Sequence, residues 1–378
     1  MNSRPFCKLA FMISLSFLVC SCSQQTTEWQ GTIEEVDGVT TARNPVEPLY
    51  GEDVLEFSEE LSIGVVEGED EYMFQMVQDI DADAHGNIYV VEGRLAHVRV
   101  YDGDGEYQRT IGTRGQGPGE LQMPIYVQVT DRDEIAVHDY SGQRLSFFSM
   151  EGEFLRQKST ASTGSPFIPI WIDPQGSLTT IAAFGPPPVG GKQLKYFNAD
   201  LELISMITKE ERDMRKTFDI GKPTWFCDVS NSGRIFWGNS EEYTINILDS
   251  DCTLIRRITK EYEPHAITAE DKEYYRERYA SALERGLKIE FRSHYPAFGE
   301  INVDEEERLF VRTFKKVEGR DNRYYHDVFD AEGKYITTVP IRANLSRQAV
   351  WKNNKLYTIE MNEEGYQQVI RYRVTWNF

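Results

Sequence analysis

Three carboxylates, Glu92, Asp139 and Glu360, each close a short aliphatic run, "IYVVE", "IAVHD" and "LYTIE". Carboxylate oxygens are the ligands a hard cation such as calcium takes, so these three form a candidate metal arc if the fold sets their runs side by side. A second set mixes aromatic and polar types: Asp79, Tyr126, Pro169, Phe226, Glu300 and Arg347. Two residues after each of these come Asp81, Gln128, Trp171, Asp228, Asn302 and Ala349. Aromatic planes beside a few polar groups are how sugars and peptides are held, and an arginine can clamp a carboxylate. Other chemistry is weakly represented. There is no G-x-S-x-G or H-E-x-x-H, and the six histidines stand singly, His138 being the best placed as a base or ligand. "DGDGEY" (102–107) opens like an EF-hand loop but carries Tyr107 and Thr113 where glycine and glutamate are needed. "IGTRGQGPGEL" (111–121) is rich in glycine, yet Pro118 and the strand after it deny a phosphate loop its helix and its Lys-Ser/Thr pair.

The elements that must position these residues come from a repeat. Six aliphatic runs, "GNIYVVE", "DEIAVHD", "GSLTTIA", "GRIFWGN", "ERLFVRT" and "NKLYTIE", are each preceded by an alternating stretch: "DIDAD", "YVQVT", "PIWID", "FCDVS", "EINVD" and "RQAVW". The first five continue through a third strand and a turn into a fourth, as in "VRVYDGDGEY" and "LSFFSMEGEF". Four strands joined by hairpins make a propeller blade. The sixth unit ends one strand short, and "EELSIG" (59–64), which parallels "YQRTIG" (107–112), supplies the missing strand from the other end of the chain. The expected fold is all-β: a six-bladed β-propeller closed by an N-terminal strand, with a short helical insertion between blades 4 and 5. In that insertion Thr268 and Asp271 predict a capping box, 269–285 a helix with Tyr275, Tyr279, Ala282 and Leu283 on one face, and Gly286 its stop. The helix should lie over the blade 4 and 5 side of the funnel mouth. "FGPPPVGG" (184–191) should join the second and third strands of blade 3 on the same face.

The chain begins as an exported protein does. Arg4 and Lys8 precede an apolar stretch, Leu9 to Val19, too short to span a bilayer. Val19-Cys20-Ser21-Cys22 resembles a bacterial lipobox, which makes residues 1–22 a lipoprotein signal with Cys22 as the lipidated residue, and Ser23 leans towards the outer membrane. Residues 23–52 read as a tether in which Asp37-Gly38 could turn a β-hairpin, and 53–378 as the propeller. With 61 acidic against 41 basic residues and a net charge of -20, nucleic acid is excluded as a partner. Beyond the leader only Cys227 and Cys252 remain, which excludes a disulfide scaffold or a cysteine zinc site.

"GTRGQGPGELQMP" followed by "DEIAVHDYSGQRLSFFSMEGEFL" resembles the NHL repeat, and the chain with its leader is similar to six-bladed propeller lipoproteins of Bacteroidetes-like bacteria. The resemblance implies the fold firmly and an activity hardly at all. It departs from the repeat where Asp133 replaces the turn glycine and where blades 5 and 6 lack it. In the repeat, the residue matching Asp139 pairs with the one matching Arg144 as a structural bridge. Related propellers include metal-dependent lactonases and lyases. The expected function is a lipid-anchored envelope module that binds a protein, peptide or glycan partner through its funnel face. The alternative is a calcium-dependent hydrolase or lyase with its site in the same funnel; no other cofactor is expected, and catalysis is the weaker reading.

Overall fold

Each blade is ordered by how much of every strand is covered. Second strands meet neighbouring sheets on both faces, so they read as unbroken apolar runs: Ile88–Glu92 is buried at every position. Outer strands have one wet face and alternate, as Phe154–Ser159 does residue by residue. The computed structural model describes residues 28–163, 167–185, 189–213, 217–318, 323–341 and 343–378. The leader, Cys22 and Pro186 to Pro188 of the blade 3 connection lie outside the described residues.

The six sheets follow the expected order. Blade 1 runs Val77–Ala82, Ile88–Glu92, His97–Tyr101 and Tyr107–Ile111. Blades 2 to 5 begin at Pro124–Thr130, Phe167–Ile172, Trp225–Val229 and Ile301–Val303, each followed by three antiparallel partners. Blade 6 takes three strands from the C-terminus, Val350–Lys352, Lys355–Met361 and Gln367–Trp376. Its fourth is Leu55–Ile63, antiparallel to the last of these. Ile63 is 2 % exposed in the core that blades 6 and 1 share, so the closing strand seals an interior as well as an edge. The glycine that heads many second strands at positive φ, such as Gly86 at 86°, is replaced by Asp133 (54°), Glu307 (59°) and Asn354 (55°) in the same conformation. The turn geometry is kept without the residue that adopts it most easily.

The N-terminal segment is more than a tether. Thr32–Val36 and Val39–Asn44 form the hairpin, with Asp37 and Gly38 both at positive φ as a type I′ turn requires. Its second strand then pairs in parallel with the outer strand of blade 4, Leu254–Lys260, and turns that blade into a six-stranded sheet. Asn44 locks the junction. Its amide donates to the carbonyls of Thr259 (3.0 Å) and Gly333 (2.9 Å), and its oxygen accepts from the Tyr335 N–H at 2.7 Å. The chain then crosses the edge of blade 5, where Leu49 and Tyr50 donate to the carbonyls of Tyr335 and Ile336.

The insertion between blades 4 and 5 forms two helices, α1 (Ala269–Arg278) and α2 (Ala280–Glu284), broken at Tyr279 where one helix was expected. The Thr268–Asp271 capping box is present, and Gly286 ends the pair at φ 89°. Past them, Lys288–Phe291 pairs in parallel with Thr217–Ile220 of the blade 3 to 4 connection. Asp271 bonds Lys316 of blade 5 at 2.7 Å, and Tyr279 stacks on Phe218 at 4.8 Å between ring centroids. The helices therefore lie on the funnel face between the blade 3 to 4 connection and blade 5, and their tyrosines border a cavity that reaches the blade 5 to 6 connection.

Candidate functional site

An innermost propeller strand has one edge with no ladder partner, and its N–H and C=O groups must be satisfied some other way. The polar columns do this. Asp79 accepts the Val127 N–H at 3.1 Å and Asp81 the Val129 N–H at 2.6 Å, linking blade 1 to blade 2. Gln128 accepts from Ile172 N–H and donates to its carbonyl, both at 2.8 Å, linking blade 2 to blade 3. Asp228 accepts the Val303 N–H at 2.8 Å, Asn302 donates to the Ser346 carbonyl at 3.2 Å, and Gln348 donates to the Gln78 carbonyl at 2.5 Å. Side chains of one blade thus hold the backbone leading into the next at five of the six junctions.

This seam concentrates carboxylates at the axis. Desolvation holds Asp79 well above the ordinary carboxylate range and pushes Asp81 up to about 6 and Asp228 to about 7. Arg347 at one end of the channel and Lys352 at the other are the cations that oppose the shifts of Asp79 and Asp81. The axis is a channel of about 120 Å³ lined by Asp79, Asp81, Gln128, Trp171, Asp228 and Lys352 among others. It shares Asp79, Tyr126, Trp171, Arg347 and Gln348 with a wider mouth of about 250 Å³, which Ile125, Tyr140 and Pro169 complete. Tyr126 and Trp171 are partly exposed and Arg347 is exposed, so two aromatic planes and a cation face the mouth. Tyr126 is oriented by donating to Gln128 at 2.5 Å.

Three expected funnel residues serve elsewhere. Phe226 packs against Phe298, with ring centroids 6.1 Å apart, and does not line the mouth. Glu300 lines a separate cavity beneath the helices. Asn302 is buried in the seam. Gln348 and Lys352 are axial residues that sequence reasoning missed. They lie one and five positions after Arg347, and their interest comes from the ring's closure rather than from any local pattern.

The metal arc does not assemble. Glu92, Asp139 and Glu360 each turn back on their own blade to accept N–H groups of the chain entering its first strand. Glu92 accepts from Gln75, Asp139 from Gln122 and Met123, and Glu360 from Asn344. Asp139 also pairs with Arg144 at 3.3 Å, and Glu360 with Arg323 at 3.1 Å. Among the described residues no three acids, histidines or cysteines stand close enough to share an ion. Arg144 explains the glycine-rich connection as well, donating to the carbonyls of Gly115, Gln116 and Glu120 from inside the loop. His138 is buried, which lowers its pKa to about 4 and removes it from the surface a base would need.

The model of the DUF5128 family, described as a 6-bladed beta-propeller, matches residues 55–170, from the closing strand into the first strand of blade 3. A solved protein from Bacteroides fragilis, given as exported, is similar at 12 % identity over 90 % of this chain and 100 % of its own, with a TM-score of 0.54. A duf4221 family member from Bacteroides vulgatus (13 % identity, 86 % and 100 % covered, TM-score 0.49) and virginiamycin B lyase from Staphylococcus aureus (10 %, 85 % and 100 %, 0.41) are more distant. The first likeness shows a shared fold. No curated protein matches the chain.

Proposed function

We propose that the protein is a lipid-anchored binding module of the bacterial envelope that takes a ligand or partner at the funnel mouth. The observation that carries this reading is the mouth itself, where Tyr126, Trp171 and Arg347 face one space beside Asp79. With the channel behind it, this space approaches the size range of small-molecule sites, about 300–1,000 Å³. Two aromatic faces and one guanidinium suit a sugar or a peptide end, and the net charge of -20 favours a neutral or cationic ligand over a polyanion. The anchor rests on the lipobox at Cys22 and the outer-membrane assignment on Ser23. The name of the Bacteroides fragilis neighbour agrees with export. A calcium-dependent hydrolase or lyase finds no support in Glu92, Asp139 and Glu360, whose oxygens hold backbone N–H groups.

The test is calorimetric titration of envelope glycans and peptides into wild type, Trp171→Ala and Arg347→Ala, after confirming that all three melt alike. A ligand bound by wild type and weakened at least tenfold by either change supports the mouth. Equal affinity in all three moves the site elsewhere, and no ligand in either class favours a structural role.

A further inference from the structure

Beneath the helices lies a cavity of about 630 Å³, distinct from the funnel mouth and sharing no lining residue with it. Its floor is the second and third strands of blade 5, Leu309–Lys316 and Tyr324–Phe329, its roof is α1, and its far wall is the blade 5 to 6 connection around Asn344. Arg312 and His326 are cross-strand partners on this floor. Both are left with unused hydrogen-bonding capacity.

His326 is 4 % exposed. Its Nδ1 lies 3.0 Å from the Tyr324 carbonyl, which can only accept, so the ring proton sits on Nδ1 and Nε2 presents a lone pair. That Nε2 is buried and has no hydrogen-bond partner. Burial, helped by Arg312, lowers the pKa to about 3, so the ring stays neutral and Nε2 stays an acceptor. A buried acceptor without a donor is costly, which makes such an atom informative about what the site receives.

The Arg312 guanidinium shows no ion pair and no side-chain hydrogen bond among the described residues, and its Nε is buried without a partner. It is held by close packing and by aromatic faces. A Cβ on Gly299 would stand 2.5 Å from its terminal nitrogen, and the rings of Tyr324 and Phe314 flank it at 4.8 and 5.3 Å. Arg278, exposed on α1, reaches the same cavity and is steadied by the Tyr274 hydroxyl at 3.2 Å. Arg323 lines it too, though paired with Glu360. In a chain of net charge -20, Arg278, Arg312 and Arg323 line one cavity in which Glu300 is the sole acid among the described lining residues, and Glu360 pairs with Arg323, so the site is locally positive. Tyr275 and Tyr279, stacked in parallel at 6.5 Å, give the roof aromatic surface.

We infer that this cavity is a second binding site, for a sugar acid or similar polyhydroxylated monocarboxylate. The carboxylate takes the planar donors of Arg312, with Arg278 closing from the helix, as guanidinium and carboxylate do in pairs. A hydroxyl donates to His326 Nε2 and another to Glu300, and the ring lies against the tyrosines of the roof. The site stands independently of the funnel reading, since the two share no residue.

The experiment is calorimetric titration of galacturonate, galactose and inorganic phosphate into the full-length protein, three variants of this cavity, and Trp171→Ala of the funnel mouth as a control. Arg312→Gln removes the half-buried cation of the floor. Arg278→Gln removes an exposed one on a helix, where the fold is not at stake, and so keeps the test decisive if the first variant fails to fold. His326→Phe keeps the packing and removes the acceptor. Galacturonate should bind wild type at least tenfold tighter than galactose or phosphate, lose at least tenfold in Arg312→Gln and severalfold in Arg278→Gln and His326→Phe, and be unchanged in Trp171→Ala. No binding of galacturonate, galactose bound as well as the acid, phosphate bound as well as the acid, or a loss confined to Trp171→Ala each overturns the inference.

Discussion

Closure of the ring by residues from the far end of the chain can be tested by removing that strand alone. A chain beginning at residue 53 keeps Leu55–Ile63, and one beginning at 66 lacks it. Ile63 is buried between blades 6 and 1, and Leu61, Leu55 and Phe57 pack partly against the cores on either side. Full burial of such a side chain contributes roughly 1.5–3 kcal/mol, so one full and three half burials amount to about 4–7 kcal/mol. Glu60, which pairs with Lys355 and Arg373 and lies 3.5 Å from Arg371, adds a little more. A loss of this size is comparable to the whole stability of a typical domain, about 5–15 kcal/mol. Urea denaturation followed by circular dichroism should show the shorter chain unfolded or aggregated under conditions where the longer one is native. The exposed edge of Gln367–Trp376 makes aggregation the expected failure. Superimposable urea curves for the two chains would refute the closure argument.

Asn44→Ala removes the side-chain partner of the Tyr335 N–H and of the Thr259 and Gly333 carbonyls, and should cost about 2–4 kcal/mol in the same assay; a change under about 0.5 kcal/mol would mean the hairpin is not locked there. Asp228 and Asp81 have folded pKa values raised to about 7 and about 6, so the folded state binds more protons than the unfolded one from about pH 4 up to those values. Their contribution is fully present below pH 4 and is lost as pH rises towards 7. Asp228→Asn should flatten the dependence of stability on pH between 5 and 8 relative to wild type by on the order of 1–4 kcal/mol, and parallel pH profiles would contradict the buried charge. Cys22→Ala should move the protein from the membrane to the soluble fraction of the cells that make it. Unchanged partitioning into detergent would sink the lipoprotein reading.

The blades were legible because each needs a hydrophobic run, an alternating run and a turn, all local patterns, and even the closing strand repeats the Ile-Gly ending of "YQRTIG". What escaped reading depends on partners distant in sequence. The hairpin at 32–44 carries its own turn signal, but nothing local says that Val39–Asn44 will pair in parallel with a strand more than two hundred residues later. Asp79, Asp81, Gln128 and Asp228 were found because the alignment put them on the axis. Their main task, satisfying the bare edge of the next blade, needs the ring to be built before it is visible. Glu92, Asp139 and Glu360 share a column for a related reason, since each ends a second strand where the chain entering the first strand has free N–H groups. Arg312 and His326 could have been paired from the hairpin register of "RLFVRTF" with "YYHDVF", yet the roof that makes them a site comes from the insertion, whose docking no periodicity reports.

The central claim, that the protein works by holding a partner at the funnel mouth, is tested most directly by placing a photocrosslinking amino acid at Trp171 in the full-length protein and irradiating the intact cells that make it. Leu155, on the exposed outer strand of blade 2, is the control position. Adducts at 171 that are absent at 155, and that disappear when Arg347→Ala is added, are the predicted result. Adducts at 155 with none at 171 would contradict it.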